Sequence, residues 1–217
     1  MLKVNAKTGE IFLYGVVGGA EYGGDFSETD VVDALDQLGG KRAKVRISSV
    51  GGLADAGIGI YNALKRYEGG VDTYNDSLAA SAGSIIAMAG ENRYTATGSR
   101  WMIHRAMGGV MGDVNDLKRY VLQMESYDKS IIEIYQAAFK IETSVLENML
   151  DQETWFTSDQ AVEIGLATAL EGSAKAKPAV AAWMKHPPAE MIAACAGQTI
   201  VSMKPKITTS FKFSSRA

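Results

Sequence analysis

Cysteine is nearly absent from this chain of 217 residues: Cys195 stands alone, so no intramolecular disulfide and no multi-cysteine metal cluster can form. A reducing, cytoplasmic setting is expected, and a cysteine nucleophile is disfavoured because Cys195 lies far from every other candidate side chain. Histidine is almost as scarce. Any mechanism that needs an imidazole must use His104 or His186. No apolar run approaches the length of a membrane span, and Met1-Leu-Lys-Val-Asn-Ala-Lys lacks the apolar stretch of a signal peptide. The 47% hydrophobic content supports a full-sized core. Neither global disorder nor a collagen-like repeat fits.

Proline is missing from the first 171 residues, and all four prolines, Pro178, Pro187, Pro188 and Pro205, follow them. Charge divides at the same place. Residues 172–217 hold Lys175, Lys177, Lys185, Lys204, Lys206, Lys212 and Arg216 against Glu190, a net +6, so within a total of −3 the first 171 residues carry −9. Two regions are expected: a folded domain over 1–171 and a basic extension over 172–217 that opens with a linker-like Ser173-Ala-Lys-Ala-Lys-Pro-Ala stretch. A solvated extension is the commoner explanation of such a tail; an anion-binding segment is the rarer one.

Within 1–171, short β-rich runs alternate with helical periodicity. Strands are expected at Ile11–Gly15, Val45–Ser48, Val71–Tyr74, Arg93–Ala96, Trp101–His104 and Thr154–Thr157. Ser27-Glu-Thr-Asp30 reads as a capping box that opens a helix through Leu38. A second helix follows Gly51-Gly52, and a small-residue segment, Leu78–Ser84, runs into Ile85–Ala89. Val114, Leu117, Val121, Met124, Ile131, Tyr135 and Ala138 predict a long helix over Asp113–Phe139 whose apolar stripe needs a partner. A shorter helix at Ser144–Leu150 and one at Asp159–Ile164, stopped by Gly165, complete an α/β domain.

Four places in this pattern could carry chemistry. Ser81, between a strand and a helix in Ala79-Ala-Ser-Ala-Gly83, has small neighbours and could be a nucleophile. On position alone an N-cap role is several times commoner, and Ser77 and Ser84 compete. His104 ends an apolar strand just before a glycine-rich segment, the rigid mounting that a general base requires, although a half-buried structural histidine fits as well. His186 sits in the tail. Asp151 and Glu153 precede a strand and either could orient the imidazole, with Asp151 equally readable as a helix-end residue. Gly51-Gly52 could expose backbone N–H groups to a developing oxyanion, or could simply be turn glycines. Neither phosphate-loop pattern, GxxxxGK[ST] or GxGxxG, is present.

The order of these features resembles the Clp protease proteolytic subunit family, the S14 serine peptidases. Ser49-Val-Gly-Gly52 is similar to the family's Ser-Pro-Gly-Gly, Ala80-Ser-Ala-Gly83 to Ala-Ser-Met-Gly, and Met102-Ile-His104 with Gly108-Gly109 to Met-Ile-His followed by Gly-Gly. Trp155-Phe-Thr with Gln160–Leu166 resembles its closing strand-helix signature, so that the likeness covers roughly residues 10–170 in order. The resemblance implies a spiral of strand-strand-helix units shared with crotonases, a long handle helix, and a homo-oligomeric ring in which two rings stack. It implies Ser81 as nucleophile, His104 as base, Glu153 as the third member with Asp151 as the alternative, and backbone N–H groups of Gly51 and Ala82 as the oxyanion hole. It implies peptide or protein substrates and no metal or organic cofactor; nucleic-acid and membrane partners are not expected.

Three departures matter. Val50 replaces a proline, Arg105-Ala106 replaces Gln-Pro, and only about nine residues precede Glu10-Ile-Phe-Leu-Tyr-Gly15, which places an unfoldase ATPase partner in doubt. With Glu153-Thr-Trp155 and the basic tail, these features resemble the Clp-like proteases of phage and prophage head-assembly clusters, implying a head-maturation role in a bacterial host cytoplasm. A crotonase-type acyl-CoA enzyme and a non-catalytic assembly or scaffolding protein are the two rival classes.

Overall fold

In a computed structural model the described residues are 1–173. The expected basic extension, with His186 and Cys195, lies outside them.

The first two strands, β1 (Leu2–Asn5) and β2 (Glu10–Val17), form an antiparallel hairpin. Then β3 (Ala43–Gly52) and β4 (Val71–Ala80) add to β2 in parallel. Each crossover carries a helix: α1 (Glu28–Gln37) joins β2 to β3, and α2 (Ala54–Arg66) joins β3 to β4. Ser27 caps α1 reciprocally with Asp30, the capping box expected from the sequence. Alternation along β3 sends Ala43, Val45, Ile47, Ser49 and Gly51 inward, and the apolar members of that series share one buried core with the inward faces of α1 and α2.

At β4 the sheet forks. Its first half, Asp72–Asn75, pairs with β5 (Asn92–Thr95), which continues to β8 (Ala169–Leu170). Its second half, Leu78–Ala80, pairs with β6 (Arg100–Ile103), which continues antiparallel to β7 (Thr154–Thr157). The Asn75 amide donates to Arg100 O at 2.9 Å across the fork. This division brings two otherwise distant strand ends, those of β4 and β6, side by side.

The short helix α3 (Ala82–Ala87) follows β4 directly, and α4 (Val114–Ala138) is the expected long helix, capped reciprocally by Asp113 and Asp116. Its apolar stripe is divided. Ile131, Ile134 and Tyr135 are buried, whereas Val114, Leu117, Val121 and Leu122 stay exposed, so only the second half of the helix packs on its own domain. Tyr127 donates to Asp55 Oδ2 of α2 at 2.7 Å and fixes the middle of the helix. Helix α5 (Thr143–Asp151) leads into β7, and α6 (Ser158–Ile164) stops at Gly165, whose φ of 89° only a glycine adopts readily.

Among the described residues one buried cation ties these helix ends together. Arg93 of β5, 7% exposed, donates to Leu166 O (2.8 Å), Gly165 O (2.9 Å), Ala138 O (3.1 Å) and Gly90 O (3.3 Å). It thereby closes the carbonyl ends of α6 and α4 and the turn after α3. No carboxylate pairs with it among the described residues, and burial lowers its ionisation to about 10.

Candidate active site

Strand β4 ends at Ala80, and Ser81 turns the chain into α3 with φ 52° and ψ −126°. Among the described residues only two non-glycine residues have positive φ, Ser81 and Glu153 (φ 49°). Both were singled out from the sequence for chemistry. Such backbone costs about 1–3 kcal/mol per residue and persists where surrounding structure holds it.

The strain at Ser81 is held from several sides. Its N–H donates to Met102 O at 3.0 Å, extending the β4–β6 ladder by one residue, and its own carbonyl accepts from Ser84 N and Ile85 N. Since β6 ends at Ile103, the next residue, His104, emerges beside the serine. Ser81 Oγ and His104 Nε2 are 2.7 Å apart. Ser81 does occupy the N-cap position of α3, but its hydroxyl makes no capping hydrogen bond. The commoner reading of this serine therefore does not describe it. Burial pushes the His104 imidazole below its ordinary ionisation range, opposed by the nearby charges of Glu153 and then Asp128, so the neutral form that can accept a proton is favoured.

The two carboxylates named from the sequence part company. In the β6–β7 pairing Ile103 faces Thr154, so continuation of the register sets His104 across from Glu153. Glu153 makes no hydrogen bond to the imidazole in this structure; its Oε1 lies 3.4 Å from Trp155 Nε1. Asp151, the last residue of α5, is turned instead to the Arg105 guanidinium. Arg105 also reaches Asp128 Oδ2 at 3.1 Å, and Asp128 Oδ1 accepts Ala106 N–H at 3.0 Å. The segment leaving His104 is thus bolted to α4 and to the end of α5. The sequence marks Arg105 as a departure but not these partners, because Asp128 is one of many polar residues on a long helix.

Gly51 reaches the site, though not as a free donor. A Cβ there would lie 2.5 Å from Ser81 Cβ and 3.0 Å from Ser81 Oγ, so the absence of a side chain is what admits the serine. Its N–H donates to Ser49 Oγ at 3.1 Å. Ala82 N–H has no acceptor among the hydrogen bonds of the described residues. Ser49 was quoted in the sequence only as part of a motif; its inward place in β3, alternating with Ile47 and Gly51, was the available signal.

A serine whose hydroxyl meets an imidazole, with an unengaged backbone N–H next to it, can carry out acyl transfer. Comparison with known proteins identifies the family. The family model described as Clp protease matches residues 27–174. A protein called ATP-dependent Clp protease proteolytic subunit 1 from Chlamydia abortus is 34% identical over 124 residues, 55% of this chain and 65% of that protein. One of the same name from Protochlamydia amoebophila is 34% identical over 131 residues, 58% of this chain and 64% of the relative. The chain therefore spans a little under two thirds of these curated relatives. Among solved structures, a ClpP1 point mutant from Listeria monocytogenes superposes with a TM-score of 0.67 at 21% identity, covering 76% of this chain and 92% of that one. The forked sheet, the long α4 and the family match over most of the described residues agree: this chain belongs to the Clp protease family and has its fold.

Proposed function

We propose that the chain is a serine-type endopeptidase in which Ser81, His104 and Glu153 form the catalytic triad. The observation that carries this reading is the 2.7 Å contact between Ser81 Oγ and His104 Nε2 on a serine held in strained backbone. With the imidazole proton on Nδ1, Nε2 accepts the Ser81 hydroxyl proton as Oγ attacks the peptide carbonyl carbon. The carbonyl oxygen takes up negative charge and is met by Ala82 N–H and, once the Ser49 hydroxyl rotates away, by Gly51 N–H. The imidazolium then protonates the leaving amine, the C–N bond breaks, and an ester to Ser81 remains. Water, deprotonated by His104, attacks that ester and frees the acid.

Glu153 serves the charge that His104 gains during these steps. Its side chain is one methylene longer than the aspartate of the family motif, which gives the carboxylate the reach to turn from Trp155 to the imidazole. Asp151 is the weaker alternative, since its oxygen is engaged by Arg105.

The exposed half-stripe of α4 supports assembly into a ring, stacked on a second ring through these helices, because Val114, Leu117, Val121 and Leu122 form an apolar face that its own domain leaves uncovered. The narrower reading, a head-maturation protease of a phage or prophage, rests on Glu153-Thr-Trp155 and the basic tail of the sequence; portal and major capsid genes beside this one are the expected finding.

The test of the mechanism is Ser81→Ala. A fluorophosphonate probe should label the native chain at Ser81, and the variant should neither label nor hydrolyse peptides while keeping its circular dichroism. An acyl-CoA enzyme or a non-catalytic assembly protein would leave the native chain unlabelled. Peptide hydrolysis at full rate by Ser81→Ala would refute the proposal.

A further inference from the structure

Ser84 competes with Ser81 in the sequence, but the structure gives it another task. It is fully buried on α3, with Oγ 2.6 Å from Ser81 O and 2.7 Å from the hydroxyl of Tyr135 on α4. A carbonyl can only accept. Ser84 has one hydroxyl proton, and the short contact to Ser81 O uses it, so the Tyr135 O–H must donate to Ser84 Oγ. The direction of the relay is fixed: from α4, through α3, to the carbonyl of the strained serine. Tyr135 is itself 1% exposed, and its hydroxyl has Ser84 as its partner.

What that carbonyl controls follows from the planarity of the peptide. The C=O of Ser81 and the N–H of Ala82 belong to one rigid unit and point in opposite directions. Holding the carbonyl fixes the ψ of Ser81 and, with it, the aim of the Ala82 N–H. Two backbone donors, Ser84 N at 2.9 Å and Ile85 N at 3.2 Å, already meet this oxygen from one side as part of α3. The Ser84 hydroxyl adds a third donor at the shortest distance, and it alone is anchored outside α3.

We propose that Ser84 and Tyr135 are positioning residues, a hydroxyl relay from the long helix that locks the Ser81–Ala82 peptide and thereby aims the Ala82 N–H at the developing oxyanion. The inference rests on the serine peptidase reading and adds to it a physical link between α4 and the nucleophile. It concerns hydroxyls that touch neither substrate nor the reacting atoms, so its effect falls on transition-state stabilisation more than on substrate binding.

The experiment compares Ser84→Ala, Tyr135→Phe and the double variant in the full chain. The readouts are the second-order rate of fluorophosphonate labelling, kcat and KM for a peptide, and the urea midpoint. Ser84→Ala should slow labelling and lower kcat about tenfold or more, the scale of one well-placed hydrogen bond, with KM little changed. Tyr135→Phe should move both in the same direction by less, because Ser84 can still donate. The double variant is decisive: with no lone buried hydroxyl left, its urea midpoint should recover relative to Ser84→Ala, while labelling stays as slow as in Ser84→Ala. Recovery of labelling along with stability would mean that the pair matters only for packing, and would overturn the proposal. So would labelling of Ser84→Ala at the native rate. Should Ser84→Ala not fold, the double variant and Tyr135→Phe, neither of which strands a buried tyrosine hydroxyl, decide alone. A native chain that does not label at all marks a different failure, that of the peptidase reading, and the relay falls with it.

Discussion

Replacing Arg93 by methionine is the sharpest test of how this fold holds its helices in place. The guanidinium closes four backbone carbonyls at the ends of α6 and α4 and after α3. Hydrogen bonds to a charged donor contribute about 1.5–3 kcal/mol each, so the four together are worth roughly 6–12 kcal/mol before costs. Against this stands the cost of burying the charge. Burial lowers the ionisation of the guanidinium to about 10, which corresponds to a cost on the order of 3 kcal/mol. Methionine removes both terms, fills part of the space, and strands the four carbonyls. The net loss should be roughly 3–9 kcal/mol, the difference between these two terms. Urea unfolding at pH 7 and one fixed protein concentration should show a lower midpoint at unchanged slope. Arg93→Lys, with one donor group in place of a planar fork, should lose most of the same amount. A methionine variant within about 1 kcal/mol of the native chain would refute the reasoning, since it would mean that the four carbonyls are satisfied as well without the cation.

The third member of the proposed triad is tested by Glu153→Gln and Asp151→Asn: the first should lower kcat by at least about 100-fold, the second only modestly, by loosening Arg105, and inactivity confined to Asp151→Asn would reverse the assignment. The acid limb of kcat/KM should lie below pH 6.5, because burial depresses His104 and the base works only when neutral; a limb above 6.5 would contradict this. The same shift carries a stability consequence: the unfolded chain takes up the His104 proton first, so the contribution is present above pH 6.5 and is lost as pH falls towards the folded value, which a Tm series against the His104→Gln variant would reveal. Leu117→Asp with Val121→Asp should reduce the assembly size measured by sedimentation, with the fold of the protomer kept; an unchanged size would remove α4 from the interface.

Much of the architecture was legible in local chemistry. The capping boxes at Ser27 and Asp113 are reciprocal contacts between residues three apart, and Gly165 stops α6 through its own backbone, so each is written in neighbouring residues. The hairpin of β1 and the last residues of β4 were not foreseen. Ser77–Ala80 has little strand propensity, and it is extended because β6 supplies a ladder from some twenty residues away. The stripe on α4 could be counted from the sequence, but not which half of it the domain would cover.

The candidate site divides in the same way. The sequence by itself supplied the types and order of Ser81, His104 and Glu153, and with a single cysteine it left serine as the candidate nucleophile, because these depend only on which side chains exist and near which strand ends they fall. Tertiary structure decided the rest. The fork at β4 set Ser81 beside His104, the β6–β7 register favoured Glu153 over Asp151, and Arg105 drew Asp151 away. It also turned Ser84 from a rival nucleophile into a support for Ser81, through a tyrosine fifty-one residues along the chain. Hydroxyl groups carry no sequence signal for the partner they will meet; only the packing of α3 against α4, which buries both of them, selects it.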